Sequence, residues 1–146
     1  MSEYLDNLIF DRTQADIDSM AAKAYIDYND LNRIESAVKW VSYVLNRKGY
    51  KNTTDNKLNW QPNDFRTEAD MVRLRKNIEA IRSAYYTPDS TPLTPIRITY
   101  TSIYQANAIE KIIYDLGTLI EKASPGLNHL SFRIGTRSLG NREVSL

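Results

Sequence analysis

YNDLNRIESAVKWVSYVL (Tyr28–Leu45) and IYQANAIEKIIYDLGTLI (Ile103–Ile120) are two versions of one helix, written 75 residues apart. In the first, Leu31, Ile34, Val38, Val41 and Leu45 recur at three- and four-residue intervals, which gathers them on one face. Ile109, Ile113, Leu116, Leu119 and Ile120 supply the corresponding face of the second. Any two amphipathic helices share such spacing. The shared Asn-x-Ile-Glu is more specific: Asn32 and Glu35 in one copy, Asn107 and Glu110 in the other.

Asparagine is a poor helix-interior residue unless its amide is bonded, and a glutamate three residues on lies on the same helix face. The two pairs therefore read as structural polar pairs. They would fix register by reaching the backbone of the first helix, the loops, or each other. Two glutamates on two helices also suggest a carboxylate metal site, but the Glu-x-x-His of di-iron bundles is missing. The single histidine, His129, stands near the C-terminus. No metal and no cofactor are expected.

Working outward, Thr13 is a candidate N-cap for a helix over 14–24, with Ile17, Met20, Ala21 and Ala24 inward. Thr67 caps a third helix to Ala84, whose face is Met71, Leu74, Ile78 and Ile81. Asp27 with Asp30, and Ser102 with Gln105, have the spacing of capping boxes. Gly49 stops the second helix, and Ser124–Gly126 the last. Between them, Trp60 and Phe65 read as anchors tucked under a polar loop, and three prolines between 87 and 99 exclude helix. The expected fold is mainly α, a small bundle of about four helices with an extended or short β C-terminal tail. The expected division is an N-terminal arm (1–12), a helical domain (13–125) and an extended tail (126–146).

A chain of 146 residues with formal net charge +1 and no cysteine is one domain's worth of ordinary globular sequence. It lacks disulfides, cysteine zinc sites and thiol nucleophiles. No apolar run approaches membrane-spanning length, and the first residues do not make a secretory signal. A chain that is soluble inside the producing cell is expected. Residues 1–30 carry seven acids against Arg12 and Lys23, whereas 127–146 carry Arg133, Arg137 and Arg142 against Glu143. Both stretches read as solvated surface or, more sharply, as complementary patches for head-to-tail contact between copies. Glycine-rich phosphate loops and nucleophile motifs are missing, so the chain reads as a non-enzyme. Basic residues concentrate between Arg33 and Lys51, but the acidic N-terminus and the lack of a helix-turn-helix argue against nucleic acid. Ten tyrosines and two tryptophans favour protein interfaces.

Four stretches carry a resemblance: LIFDRTQADID (Leu8–Asp18), YNDLNRIESAVKWVSYVLN, NWQPNDFRTEADMVRLRKNIEAIR and TYTSIYQANAIEKIIYDL. In this order the chain resembles a family of small helical structural proteins from the tail or baseplate region of Firmicutes-type phages and prophages. The resemblance implies a non-enzymatic virion component, an adaptor that docks neighbouring tail components through its helical body and termini. Its partners would be other phage tail or baseplate proteins, with self-association as a homo-oligomer or within a ring. Candidate interface residues are Tyr4, Leu8, Phe10, Phe132, Ile134 and Val144 as apolar anchors. Arg133, Arg137 and Arg142 would supply charge complementarity. Two alternatives stay open: a receptor-binding or fibre-attachment module with an exposed aromatic patch, and a small nucleic-acid-binding or regulatory helical protein.

Overall fold

The computed structural model describes residues 3–99 and 102–123. Three long helices dominate: α3 (Tyr28–Arg47), α4 (Glu68–Ala84) and α5 (Ile103–Lys122). Two short ones precede them, α1 (Glu3–Asp6) and α2 (Gln14–Asp18), with a 3-10 turn at Ala22–Ala24. Mainly α is therefore the fold class, and no strand occurs among the described residues. The expected C-terminal tail lies outside them.

Each long helix starts at a polar cap. The Asp30 N–H donates to Asp27 Oδ1 at 3.1 Å and the Asp27 N–H to Asp30 Oδ2 at 2.9 Å, a reciprocal box. Thr67 and Asp70 repeat it at α4. The third start departs from expectation. Ser102 Oγ accepts from the Tyr104 N–H, while Gln105 turns back to the preceding segment and accepts from the Thr99 N–H at 2.8 Å. At the end of α3, Gly49 takes φ 92°. There the Tyr50 N–H donates to the Leu45 carbonyl and the Gly49 N–H to the Asn46 carbonyl, closing the helix over a left-handed residue.

The three long helices run parallel. Arg33 meets Glu110 near the starts of α3 and α5, and Lys48 Nζ caps the carbonyls of Ile120, Glu121 and Ala123 at their ends. Likewise Arg73 meets Glu35 near the starts of α4 and α3, and Tyr50 stacks edge-on with Tyr85 just past their ends, at 4.6 Å. Parallel neighbours need a return path. A 20-residue helix rises about 30 Å, which about nine to ten extended residues cover. The stretches 48–67 and 85–102 are long enough, and residues 57–60 of the first lie on α3 and residues 92–95 of the second on α4. Between the helices Ile34, Val38, Val41, Leu74, Ile78, Ile81, Ile109, Ile112 and Ile113 are fully buried.

Three expectations are corrected here. The helix over 14–24 ends at Asp18, because Met20 adopts a left-handed φ of 57°, and none of its residues is buried. Phe65 is 87% exposed, not an anchor, whereas Trp60 is buried. The N-terminal segment is not an arm: Leu5 and Leu8 belong to the core, and Leu5 sits against Gly117 of α5. A Cβ at Gly117 would lie 2.5 Å from Leu5 Cδ2, so the missing side chain is what lets α1 seat there. Leu5→Ala should therefore lower the unfolding free energy by about 2–4 kcal/mol in a denaturant titration, as a core residue does; an unchanged midpoint would restore the arm.

Candidate functional site

Asn32 and Glu35 stand five and eight residues after the N-cap of α3, and Asn107 and Glu110 hold the same offsets in α5. Each pair grips an extended segment. The Trp60 N–H donates to Asn32 Oδ1 at 2.8 Å, and Asn32 Nδ2 donates back to the Trp60 carbonyl at 3.1 Å. Arg12 is held identically: its N–H donates to Asn107 Oδ1 at 3.1 Å, and its carbonyl accepts from Asn107 Nδ2 at 2.9 Å. A helix side chain thus behaves as a strand neighbour to one extended residue.

The carboxylates complete the grip. Both are fully buried, and an ion so placed is tolerable only when its lone pairs are met. Glu35 accepts from the Lys57 N–H at 2.9 Å, from Trp60 Nε1 at 2.7 Å and from both terminal nitrogens of Arg73. Glu110 accepts from the Ile9 N–H at 2.9 Å, from Arg12 Nη2 at 2.7 Å and from Arg33 Nε and Nη2. The correspondence is complete: a backbone N–H three residues before the anchor, the anchor's own side-chain N–H, and an arginine fork. Arg33 and Arg73 themselves match, each six residues past a cap and each paired with the acid three residues back, Asp30 or Asp70. Burial pulls the Arg33 guanidinium down, but its bonds to Glu110 and Asp30 outweigh that and hold it above the ordinary arginine value. The bond to Glu35 raises Arg73.

A third copy survives in altered form. At the same offsets α4 carries Val72 and Arg75, and α5 carries Ala108 where α3 and α4 have arginine. The segment returning along α4 has Pro95 at the anchor position, seven residues before the cap as Trp60 is, and Pro92 three residues earlier. Proline has no N–H. Neither donor that an Asn and a Glu would accept is present, so a carboxylate here would be stranded. The anchor's carbonyl remains, and Arg75 Nε donates to it at 2.9 Å. With a cation at 75, an arginine at 108 would face like charge, and alanine stands there instead. The bundle is three repeats of an extended segment followed by a capped helix, each segment lying on the helix of the unit before it and the first on the last.

Among the other residues singled out from sequence, Leu8 is core and Phe10 packs on Tyr114 with ring centroids 4.9 Å apart. Tyr4 is 41% exposed and stacks on Trp40. Phe132, Arg133, Ile134, Arg137, Arg142 and Val144 lie outside the described residues. Arg12, Arg33 and Arg73 were not singled out as site residues, and Trp60 was read as an anchor without its partners Asn32 and Glu35. The signal that would find the two helical arginines is their constant distance from a cap, not their position relative to the apolar stripe.

No group of histidine and acidic side chains able to hold a metal occurs among the described residues. Among them no helix is long and apolar enough to cross a membrane. A cleft of about 500 Å³ opens between Tyr25, Ile26 and the start of α5. Two more, of about 280 and 370 Å³, share Lys39 and Tyr43 on the outer side of α3. No protein-family model, curated protein or solved structure matches the chain.

Removing a carboxylate strands its partners. Glu110→Ala leaves the buried Arg12 uncompensated and should cost about 3–5 kcal/mol in urea titrations. Asn107→Ala should cost about 1–3 kcal/mol and speed hydrogen exchange at the Arg12 amide; loss at only one of the two readouts would break the proposed coupling. At the third site the sign reverses. Arg75→Glu should destabilise by about 1–3 kcal/mol and by more than Arg75→Gln, which keeps an N–H for the Pro95 carbonyl. A neutral or stabilising Arg75→Glu would mean that the prolines do not explain the altered copy.

Proposed function

We propose that the protein is a non-enzymatic virion component of a phage or prophage, a tail or baseplate adaptor that works by docking other proteins. The observation that carries this is where its charged groups go. The four buried charged residues among those described, Arg12, Asp30, Glu35 and Glu110, are all bonded within the fold. They hold chain to chain, and none of them lines the clefts described above. Function then belongs to the surface. Large apolar side chains stand out on the return segments, Phe65 at 87% and Ile96 at 90% exposure. Both flank the start of α4, where Arg97 pairs with Glu68 at the surface. Apolar side chains beside charged pairs fit a protein-docking edge. The order of the four resembling segments supports the virion assignment, and the basic residues 133–142 complement the acidic first thirty.

The assignment is tested on particles. Density-banded phage from an induced strain carrying the coding sequence should contain the protein at a small whole-number ratio to other tail proteins, with immunogold at the tail end. Its absence from banded particles overturns the proposal. Deleting residues 127–146 should leave a folded helical chain, by circular dichroism, that no longer enters particles.

A further inference from the structure

The outer side of α3 carries a groove lined by aromatic and polar side chains. Lys39 and Trp40 lie three and four residues after Ser36, and Tyr43 four and three residues after them, opposite the core stripe. Tyr4 of α1 closes one side, its ring stacked on Trp40 at 6.3 Å between centroids and 26° between planes. Leu58 of the return segment closes the other. Beyond Lys39 and Tyr43 the groove continues over Asn46, Asn52, Thr53 and Asn56. The two parts, about 280 and 370 Å³, form one trough with an aromatic half and an amide-and-hydroxyl half.

Two features set it apart from ordinary surface. The polar wall is fixed from behind: Asn52 accepts from Ser42 Oγ, Asn46 exchanges bonds with the Asn52 backbone, and Asn56 Nδ2 donates to Thr54 at 2.9 Å. The inner lining, in contrast, holds hydrogen-bonding groups with no partner among the described residues. The Trp40 indole N–H donates to none, and Lys39 Nζ and Ser36 Oγ make no bond. Tyr43 accepts from Arg47 at 3.0 Å, which leaves its own O–H free to donate. The chain's other tryptophan is the contrast: Trp60 is buried with its N–H on Glu35.

We propose that this trough binds a short oligosaccharide. A pyranose ring has an apolar C–H face that lies flat on an aromatic side chain and a rim of hydroxyls that need donors and acceptors. The trough supplies both, adjacent and in a rigid setting. Its lining is almost all uncharged, Lys39 and Asp55 excepted, which suits a polyol better than a nucleic acid or a charged peptide. Trp40 and Tyr4 take the ring faces; the Trp40 N–H, the Tyr43 O–H and Lys39 donate to hydroxyl or acetamido oxygens. The site stands on this geometry and does not depend on the virion assignment.

The test uses the full-length chain on a printed array of bacterial and eukaryotic oligosaccharides, followed by titration of the best free sugar against tryptophan fluorescence. Because Trp60 is buried and bonded, the change belongs to Trp40. Binding to a defined subset is expected, weakened about tenfold or more by Trp40→Ala and by Tyr43→Ala. Tyr43 is 56% exposed, so that variant should melt like the parent and separates lost contact from lost fold. Binding to no printed sugar, or binding unchanged in both variants, overturns the proposal. So does full protection of Trp40 from acrylamide quenching, which would place another protein segment in the trough.

Discussion

A carboxylate in an apolar interior has to be met by donors on every side, and this fold is arranged around meeting two of them. Glu35 and Glu110 sit on the inward faces of α3 and α5, where helix alone offers nothing to bond. Their partners come from an extended segment and from an arginine on the next helix. One ion therefore fixes three pieces of chain at once. Sliding the segment by a single residue would take the N–H three residues before the anchor and the anchor's side chain off the carboxylate, and the anchor N–H off the asparagine, all together. Hydrophobic burial drives collapse without specifying register; the buried ions are what make one register cheaper than its neighbours. Replacing such an ion pair by apolar residues can leave stability unharmed, so its role here is choice of arrangement more than net free energy.

The parallel course of the helices follows from the same constraint. In antiparallel bundles short loops suffice and the connections need no internal support. Here each connection must travel back along a helix, and an extended backbone on a helical surface has N–H and C=O groups without ladder partners. Asn32 and Asn107 supply a two-bond substitute for a strand neighbour. Where the return path carries Pro92 and Pro95, there is less backbone to satisfy, and the helix responds with one donor, Arg75, in place of an acceptor pair. The third unit differs in a chemically ordered way: two N–H groups are absent, a cation stands where the other units have a carboxylate, and α5 has alanine where α3 and α4 have arginine.

The helices α3, α4 and α5 were legible because caps and stripe agree: Asp27, Thr67 and Ser102 mark starts that the apolar period then continues. The 75-residue match pointed to Asn32, Glu35, Asn107 and Glu110, and to loops as possible partners. What periodicity does not encode is direction, so parallel packing was hidden, and with it the roles of Arg12 and Trp60. Their common position appears only once the bonds are seen, since α2 and the 3-10 turn displace Arg12 from its cap. Met20 hid the end of α2, because a left-handed methionine has no sequence signature. Leu5 looked like part of an arm because a four-residue helix is too short to show a period. Its counterpart was visible: Gly117, mid-helix at a cost in helix propensity, signals a close approach.

Two tryptophans show how structural and unassigned surface separate in this molecule. Trp60 is enclosed, its backbone held by Asn32 and its indole N–H by Glu35, and it can do nothing else without loosening its own segment from α3. Trp40 lies on the same helix away from the core stripe, stacked on Tyr4 beside a trough, with no bond from its N–H to any described residue. Trp40 packs against the edge of the core and still keeps an unused donor beside the trough. The inner faces of the helices and the buried ions account for the fold, whereas Ser36, Lys39 and the free Trp40 N–H on the outer side of α3 have no bonding role in it among the described residues. That side is where a binding role is chemically provided for.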